Sequence, residues 1–498
     1  MKLTKFFIDQ HGCAKNQVDG ELLISHLTSS GKYEQTFDAE NADLIIVNSC
    51  GFIESAKTES INAVLQAKND FPNAKILLAG CLAQRYADDL KESLVEADGI
   101  FGNGDISKIT EIADEVVNGK KSVKTFAQKG VCDGMRKMFL SFPGAAFVKI
   151  TEGCNNCCSF CAIPVIRGNL RSRSAEKIIE EIKYLVQNGV YEINLIGQDL
   201  AAYGTGFEDN IFGNGRTYLP NGTPGSAKNP APQGESGLCT LLKMISKIEG
   251  NFRLRLLYIH PDHFNEDILA VIKEDNRFLP YFDIPFQSGD DKTILKMNRV
   301  GSRKKYVELI QKIRSYFPEA AIRTTFMAGF PGETEEQSEN TIEFLKEIEP
   351  DWSGCFSYSR EDDTPAFDFE NQVDEKIAEK RAEKLVSIQS EITSQKLKER
   401  CGKEYDVLIE EVLGENEDSP DEGLAIGRAW FQAPEVDGSV VVKYDRSDKN
   451  QSEAVKSGNL VRVKITSSSD VDLNGIMTGL SSLSPKESEQ NLTFAQEL

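Results

Sequence analysis

Two stretches of the chain alternate short apolar segments with helical patterns, and this alternation restricts the fold more than any other feature. In residues 1–125 we expect buried strands at 6–8, 44–47 and 76–79, with helices around 19–30, 54–69 and 86–96. Strands that alternate with helices are typical of a parallel sheet covered by helices. We therefore predict an α/β fold that begins with a parallel-sheet domain over residues 1–125.

The same alternation returns over residues 140–375 and continues for longer. Strands fit 146–150, 192–196, 253–259, 281–286, 321–328 and 354–358. This number of repeats predicts a full or partial βα barrel, with its sites where strands end and loops begin. Asn-Gly, Pro-Gly and Pro-Ala-Pro segments interrupt the pattern at 207–237, which predicts a surface insertion; a functional lid is the less favoured interpretation.

The last part of the chain changes character. A charged, strongly helical segment at 375–400 is followed by short β-like runs over residues 400–470. Several short strands in so few residues predict a small all-β barrel. The tail, residues 480–498, is rich in Ser, Glu and Gln, and we expect it to be disordered.

Composition limits the partners. The 498 residues carry a formal net charge of −21, which gives no overall attraction for nucleic acid phosphates and favours a basic partner. No apolar run approaches the roughly 20 residues that span a bilayer, and the first residues become polar too soon for a secretory signal. We therefore expect a cytoplasmic protein without membrane contact, whose eleven cysteines are mostly thiols or thiolates.

Four of these cysteines, Cys154, Cys157, Cys158 and Cys161, lie within eight residues. Thiolates are the soft ligands that iron–sulfur clusters require, and a tight loop lets several reach one cluster. A structural zinc site usually needs a second ligand pair at a distance, and no such pair is obvious in the sequence. The segment therefore predicts cluster ligation. Two spacings, Cys154-x₃-Cys158-x₂-Cys161 and Cys154-x₂-Cys157-x₃-Cys161, remain open.

Three further cysteines, Cys13, Cys50 and Cys81, each lie just beyond a predicted strand of the first domain and beside a glycine. Parallel strands deliver their carboxyl ends to one edge of the sheet, where open α/β folds bind ligands. These thiols can therefore converge on one cluster, although buried structural thiols are the alternative. His260 and His263 near a later strand end suggest packing or a substrate contact more than a metal site.

The spacing Cys154-x₃-Cys158-x₂-Cys161, with Phe160 before the last cysteine, resembles the signature of radical S-adenosylmethionine enzymes. The resemblance implies that these three thiolates bind a [4Fe-4S] cluster whose open iron is chelated by S-adenosylmethionine. Phe160 is a candidate contact to that molecule. Cys157 occupies a position that is not a ligand in such families, which favours a bystander thiol.

Over roughly residues 3–475 the chain is similar to the methylthiotransferases, a radical S-adenosylmethionine family. The most specific segments are 12–16, 48–53, 80–85, 163–164, 167–168 and 329–334. The resemblance implies an amino-terminal domain with a second [4Fe-4S] cluster on Cys13, Cys50 and Cys81, then a radical barrel and a small TRAM barrel. It also implies an electron donor such as flavodoxin or ferredoxin.

This family has two main branches, which modify an adenosine in tRNA or an aspartate of a ribosomal protein. The Lys15-Asn16 pair and segments 50–53, 198–204, 283–285 and 433–438 look like the ribosomal branch, whereas 287–289 is closer to the tRNA branch. Residues 402–466 hold fourteen acidic and eight basic side chains, a balance that suits a basic protein better than tRNA.

The resemblance implies methylthiolation of the β-carbon of an aspartate in the twelfth protein of the small ribosomal subunit. In this family one S-adenosylmethionine methylates a sulfur on the second cluster. Another yields a deoxyadenosyl radical that removes the β-carbon hydrogen, which no ordinary base can take. Two alternatives stay open: the same chemistry on a modified adenosine in tRNA, and a non-enzymatic iron–sulfur carrier or scaffold.

Overall fold

The computed structural model describes residues 2–128, 131, 133–206, 235–414, 421–483 and 492–495. Within it, the predicted fold class is confirmed: a parallel-sheet domain precedes a partial βα barrel and a small closed β-barrel. Among the described residues, no helix combines the length and apolar character needed to cross a membrane.

The first domain is a six-stranded parallel sheet in the order β2-β1-β3-β4-β5-β6. Its strands are β1 (Thr4–Gln10), β2 (Tyr33–Gln35), β3 (Leu44–Ser49), β4 (Lys75–Gly80), β5 (Gly99–Gly102) and β6 (Ser122–Lys124). Its helices are α1 (Ala14–Ser29), α2 (Glu54–Asp70), α3 (Cys81–Arg85), α4 (Ala87–Ser93) and α5 (Ile109–Val117). All of β3 is buried, as expected for a strand covered by helices on both faces.

The register of this sheet matters for the site. Gln10 of β1 lies opposite Asn48 of β3, and Ser49 of β3 lies opposite Gly80 of β4. The three strands therefore end nearly level with one another. The residues that follow them are delivered to one edge of the sheet.

The second unit is an open six-stranded parallel sheet in the order β15-β14-β13-β12-β11-β8, so the barrel is partial. The strands of this region are β7 (Met138–Phe139), β8 (Ala145–Lys149), β9 (Thr151–Glu152), β10 (Arg171–Ser172), β11 (Glu192–Ile196), β12 (Arg253–Leu256), β13 (Phe278–Asp283), β14 (Ala321–Ala328) and β15 (Trp352–Ser357). Its helices are α6 (Ile163–Arg167), α7 (Ala175–Gln187), α8 (Gly237–Ile245), α9 (Asp267–Glu274), α10 (Asp291–Lys296), α11 (Arg303–Tyr316), α12 (Glu335–Ile348) and α13 (Glu375–Lys398).

Local sequence accounts for these helices. Ser174 accepts a hydrogen bond from the Lys177 backbone and caps α7, whose buried Ile178, Ile182 and Leu185 share one face. One strand is shorter than the sequence predicts: β12 ends at Leu256, not at 259. The chain turns there because Tyr258 has a φ of 68°, outside the extended conformation of a strand.

The third unit is a closed barrel in the order β16-β17-β18-β20-β19. It comprises β16 (Glu404–Val412), β17 (Glu422–Arg428), β18 (Val440–Asp445), α14 (Lys449–Ala454), β19 (Leu460–Ser468) and β20 (Leu473–Leu480). Buried Arg428 fixes this barrel to the partial barrel, because it pairs with Glu192 of β11 at 2.9 Å and with Glu410 of β16 at 2.6 Å.

Part of the tail expected to be disordered has a defined place. Strand β21 (Thr493–Phe494) pairs in parallel with β7, and the rings of Phe139 and Phe494 lie 5.5 Å apart. The expectation of disorder therefore does not hold for residues 492–495. The predicted insertion at 207–237 lies mostly outside the described residues, and its last residue, Gly237, begins α8, which is capped by Ser236.

Candidate functional site

The structure brings Cys13, Cys50 and Cys81 together at the carboxyl edge of the first sheet. Cys13 is the N-cap of α1, Cys50 follows β3, and Cys81 is the first residue of α3. Their thiols are close enough that the charges of Cys50 and Cys13 both affect the pKa of Cys81. The three cysteines therefore form one group of potential ligands, which we call the edge triad.

Neighbouring glycines allow the three loops of the edge triad to approach closely. A Cβ added at Gly12 would lie 3.0 Å from the Cβ of Cys50, and one at Gly51 would lie 2.7 Å from the Cα of Leu82. Any side chain at these positions would force the loops apart.

The edge triad is electropositive on one side. Burial opposes ionisation of Cys13, yet the charges of Lys15 and Arg167 and the backbone N–H groups of Asn16 and Lys15 bring its pKa below the ordinary value. Burial raises the pKa of Cys81 to about 12, although Arg167 Nη2 lies 3.1 Å from its Sγ. Cationic and N–H donors around thiols suit thiolates bound to an iron–sulfur cluster.

Arg167 lies on α6 of the partial barrel and reaches across to the first domain. Its guanidinium pairs with Asp19 of α1 at 2.8 Å and with Glu152 of β9 at 2.8 Å. Lys149 of β8 pairs with the same two carboxylates. All four side chains are almost completely buried, so their charges compensate one another inside the interface between the domains.

Cys154, Cys158 and Cys161 lie in the loop between β9 and α6, and we call them the loop triad. The loop is held in shape because the Cys154 N–H donates to the Gly168 carbonyl at 3.1 Å and the Cys161 N–H donates to the Cys158 carbonyl at 3.0 Å. Burial, the charge of Asp199 and the charges of the other two thiols raise the pKa of Cys154. The three thiols are therefore close enough for their charges to interact.

Cys157 is placed differently from its neighbours. Its backbone has a φ of 49°, and its carbonyl accepts a hydrogen bond from the Asn298 side chain at 2.9 Å. Burial and then the charge of Cys158 raise the pKa of its thiol. Asn298 and the left-handed backbone thus fix the backbone of this residue, whose charge also raises the pKa of Cys161.

Phe160 packs into the partial barrel with Met297, Phe330 and Ala366. The guanidinium of Arg299 lies 5.9 Å from its ring centroid. The ring therefore anchors the loop, and a contact to S-adenosylmethionine stays a prediction.

A polar group that the sequence interpretation did not assemble lies beside the loop triad. Asp199 follows β11, and its carboxylate lies 2.7 Å from His263 Nδ1 and accepts the N–H of His260 at 3.2 Å. His260 Nε2 lies 3.9 Å from Cys158 Sγ. Burial, Arg299 and His263 lower the pKa of His260 to about 3, so its ring is neutral near pH 7.

The sequence signal that could have revealed this group is that its residues follow strands of the barrel. Gln198-Asp199 and His260 both follow strands of the barrel, and Leu195 of β11 lies opposite Leu256 of β12. The two strands end nearly level, so their following residues meet at one edge. The donor atoms of Asp199, His260 and His263 lie within 4.8 Å of one another. These three side chains lie beside the loop triad, at the ends of the barrel strands.

Three family profiles match the chain in succession. They are the Uncharacterized protein family UPF0004 over residues 5–102, the Radical SAM superfamily over 148–345 and the TRAM domain over 401–477. The radical SAM match contains the loop triad, and the UPF0004 match contains the edge triad.

The chain also resembles curated relatives over nearly its whole length. It is 50% identical to the ribosomal protein uS12 methylthiotransferase RimO of Treponema denticola, covering 94% of this chain and 100% of that protein. It is 38% identical to the protein of the same name in Clostridium botulinum, with 94% and 96% covered.

Among solved structures, the radical S-adenosylmethionine methyltransferase TsrM from Kitasatospora setae, with cobalamin and a [4Fe-4S] cluster bound, matches with a TM-score of 0.50. The match is 12% identical and covers 74% of each chain. At this identity the likeness shows a shared fold.

In protein freed of iron, we expect iodoacetamide to alkylate Cys13 much faster than Cys81 at about pH 8. The thiolate is the reactive form, the pKa of Cys13 is lowered while that of Cys81 is about 12, and only Cys13 is exposed. Mass spectrometry of the alkylated peptides over time measures both rates. Buried Cys239, with a pKa of about 12, provides a slow internal reference. Equal rates at Cys13 and Cys81 would contradict the described electrostatics.

Proposed function

Because the chain belongs to the RimO family of ribosomal protein uS12 methylthiotransferases, we propose that it methylthiolates the β-carbon of an aspartate in uS12. The reaction uses S-adenosylmethionine and [4Fe-4S] clusters. A basic ribosomal protein suits the net charge of −21. A cytoplasmic location follows from such a substrate, and an electron donor such as flavodoxin or ferredoxin would supply reducing equivalents.

The observation that carries this proposal is the meeting of two cysteine triads at one domain interface. Arg167 follows the loop triad by six residues, contacts Cys81 of the edge triad and is held by carboxylates from both domains. Two separate groups of three thiols are what a pair of clusters requires. A carrier or scaffold would have no need to direct both triads toward one interface.

We assign the loop triad to the cluster that cleaves S-adenosylmethionine and the edge triad to the auxiliary cluster. When bound, the clusters supply the electron for cleavage and carry the sulfur that is transferred. The protein's part is to hold and shield them. The buried ion pairs of Arg167 keep the domains closed, and Asp199, His260 and His263 present polar atoms beside the loop triad.

The reaction itself can be tested with anaerobically reconstituted protein, S-adenosylmethionine and a reductant. We expect mass spectrometry to find a methylthio group on an aspartate of added uS12, and 5′-deoxyadenosine as a product. Transfer RNA whose modified adenosine lacks the methylthio group is added to the same assay as the competing substrate. Modification of tRNA without modification of uS12 would overturn the proposal, and absence of 5′-deoxyadenosine would favour a non-enzymatic role.

The Cys13→Ala variant should separate the two triads. Removing an edge-triad ligand should abolish methylthio transfer to uS12, while reductive cleavage of S-adenosylmethionine continues, because the loop triad is intact. Chromatography of 5′-deoxyadenosine and mass spectrometry of uS12 measure the two reactions side by side. Cys239→Ala, which removes a buried cysteine outside both triads, is the matched control. Unchanged transfer in Cys13→Ala would refute the auxiliary site.

The choice between Cys157 and Cys158 is open to a paired substitution. We expect Cys158→Ser to lose cleavage of S-adenosylmethionine and part of the bound iron, because the charge of this thiol raises the pKa of both Cys154 and Cys161. Cys157→Ser should retain both. Iron content and 5′-deoxyadenosine production measure the outcome, and the reverse pattern would exchange the ligand assignment.

A further inference from the structure

Lys15 is a buried cation without a direct partner. It is the second residue of α1 and only 9% exposed. Its ammonium lies 3.1 Å from the ring centroid of Tyr258, which attracts it weakly through the face of the ring. Among the described residues it forms no ion pair and no hydrogen bond through its side chain. The charge of Cys13 favours this ammonium, but a buried ammonium without an ion pair is costly, so it calls for an anionic ligand.

The nearby carboxylates are already occupied. Asp283 pairs with Arg323 at 3.2 Å and accepts the backbone N–H of Tyr258 at 3.0 Å. Glu152 pairs with Lys149 and Arg167. Neither of these two carboxylates lies within ion-pair distance of Lys15.

Other buried cations in the described part of the chain differ from Lys15 in this respect. Lys149 and Arg167 have two carboxylate partners each. Arg299, which has no ion pair there, donates to the carbonyls of Pro285 and Phe286. The lack of an ion pair or hydrogen bond at Lys15 is therefore specific to its position and is not shared by these other buried cations.

That space lies between the two triads. Lys15 follows Cys13 of the edge triad by two residues, and Tyr258 precedes His260 by two residues. His260 in turn lies 3.9 Å from Cys158 of the loop triad. Cys13 is exposed and Tyr258 is partly exposed, so solvent reaches the space beside Lys15.

We propose that the Lys15 ammonium binds the side-chain carboxylate of the substrate aspartate in this space. The inference rests on the proposed function and names a specificity-determining residue for it. The β-carbon is bonded directly to the carboxylate carbon, so an ion pair at Lys15 holds that carbon between the two triads. An asparagine in place of that aspartate has no charge to compensate the ammonium, so it leaves Lys15 without an ion pair.

S-adenosylmethionine also carries a carboxylate, and the experiment separates the two sources. Full-length reconstituted wild type, Lys15→Met and Lys304→Met are compared. Lys304 is an exposed lysine of α11 whose side chain is 85% accessible, so its variant controls for the lost charge. Fluorescence anisotropy measures affinity for uS12 and for uS12 with the target aspartate changed to asparagine. Equilibrium dialysis measures affinity for S-adenosylmethionine.

We expect wild type and Lys304→Met to prefer the aspartate form by roughly 10- to 100-fold, the range of a charged hydrogen bond. Lys15→Met is compared with wild type at equal iron content, because the charge of Lys15 also favours the Cys13 thiolate. It should bind both forms alike, with no fall in its affinity for S-adenosylmethionine or in its thermal unfolding temperature. Methionine fills similar volume without a charge, so removing the unpaired cation should not destabilise the fold.

Several results would overturn the inference. Retained discrimination in Lys15→Met would show that the carboxylate binds elsewhere. A fall in affinity for S-adenosylmethionine would show that Lys15 binds that carboxylate instead, and a loss of thermal stability would make its role structural. If Lys15→Met gives one of these results while wild type still modifies uS12, the inference about Lys15 is wrong and the proposed function is retained. Wild type that neither binds nor modifies uS12 would overturn both.

Discussion

The guanidinium of Arg167 is the contact on which the arrangement of the site depends. It comes from the helix after the loop triad, pairs with Asp19 and Glu152, and lies 3.1 Å from the thiol of Cys81. Removing it would leave Lys149 alone to compensate two buried carboxylates, and breaking a buried pair typically costs about 3–5 kcal/mol. These ion pairs join the two domains at the place where the two triads lie.

Around this contact, the fold repeats one physical rule. Parallel strands that end level place their following residues on one edge, and both sheets use that edge for cysteines. The edges face each other across the domain interface. A second contact, in which Arg85 of α3 pairs with buried Glu361 at 2.8 Å, fixes the first domain against the end of the partial barrel. Chemistry that needs two clusters and one substrate can then take place in a single protected space.

The sequence was informative where local pattern decides structure. Strand ends predicted the edge triad, and cysteine spacing predicted the loop triad, whose ligand roles remain proposals. The cation of Lys15 over Tyr258, and the group of Asp199 with His263, depend on side chains from distant segments. Neither periodicity nor spacing encodes such contacts. The left-handed backbone at Tyr258 ends β12 early. The residue type does not reveal it, because the position is not a glycine and tertiary packing overrides the preference of tyrosine for extended backbone.

The tail also shows a limit of prediction from local sequence. Its polar composition favours disorder, but composition takes no account of a single aromatic residue with a partner. Phe494 packs on Phe139 and is 7% exposed, which is enough to give four residues a defined position. Local composition therefore predicts the average behaviour of a segment, whereas one specific contact determines where part of it lies.

The most direct test is mass spectrometry of uS12 and tRNA from cells of the source organism with and without this gene. We predict that deletion removes a methylthio group from an aspartate of uS12, leaves the methylthio groups of tRNA unchanged, and is reversed by the intact gene. Loss of methylthio groups from tRNA alone, with uS12 unaltered, would contradict the proposed substrate.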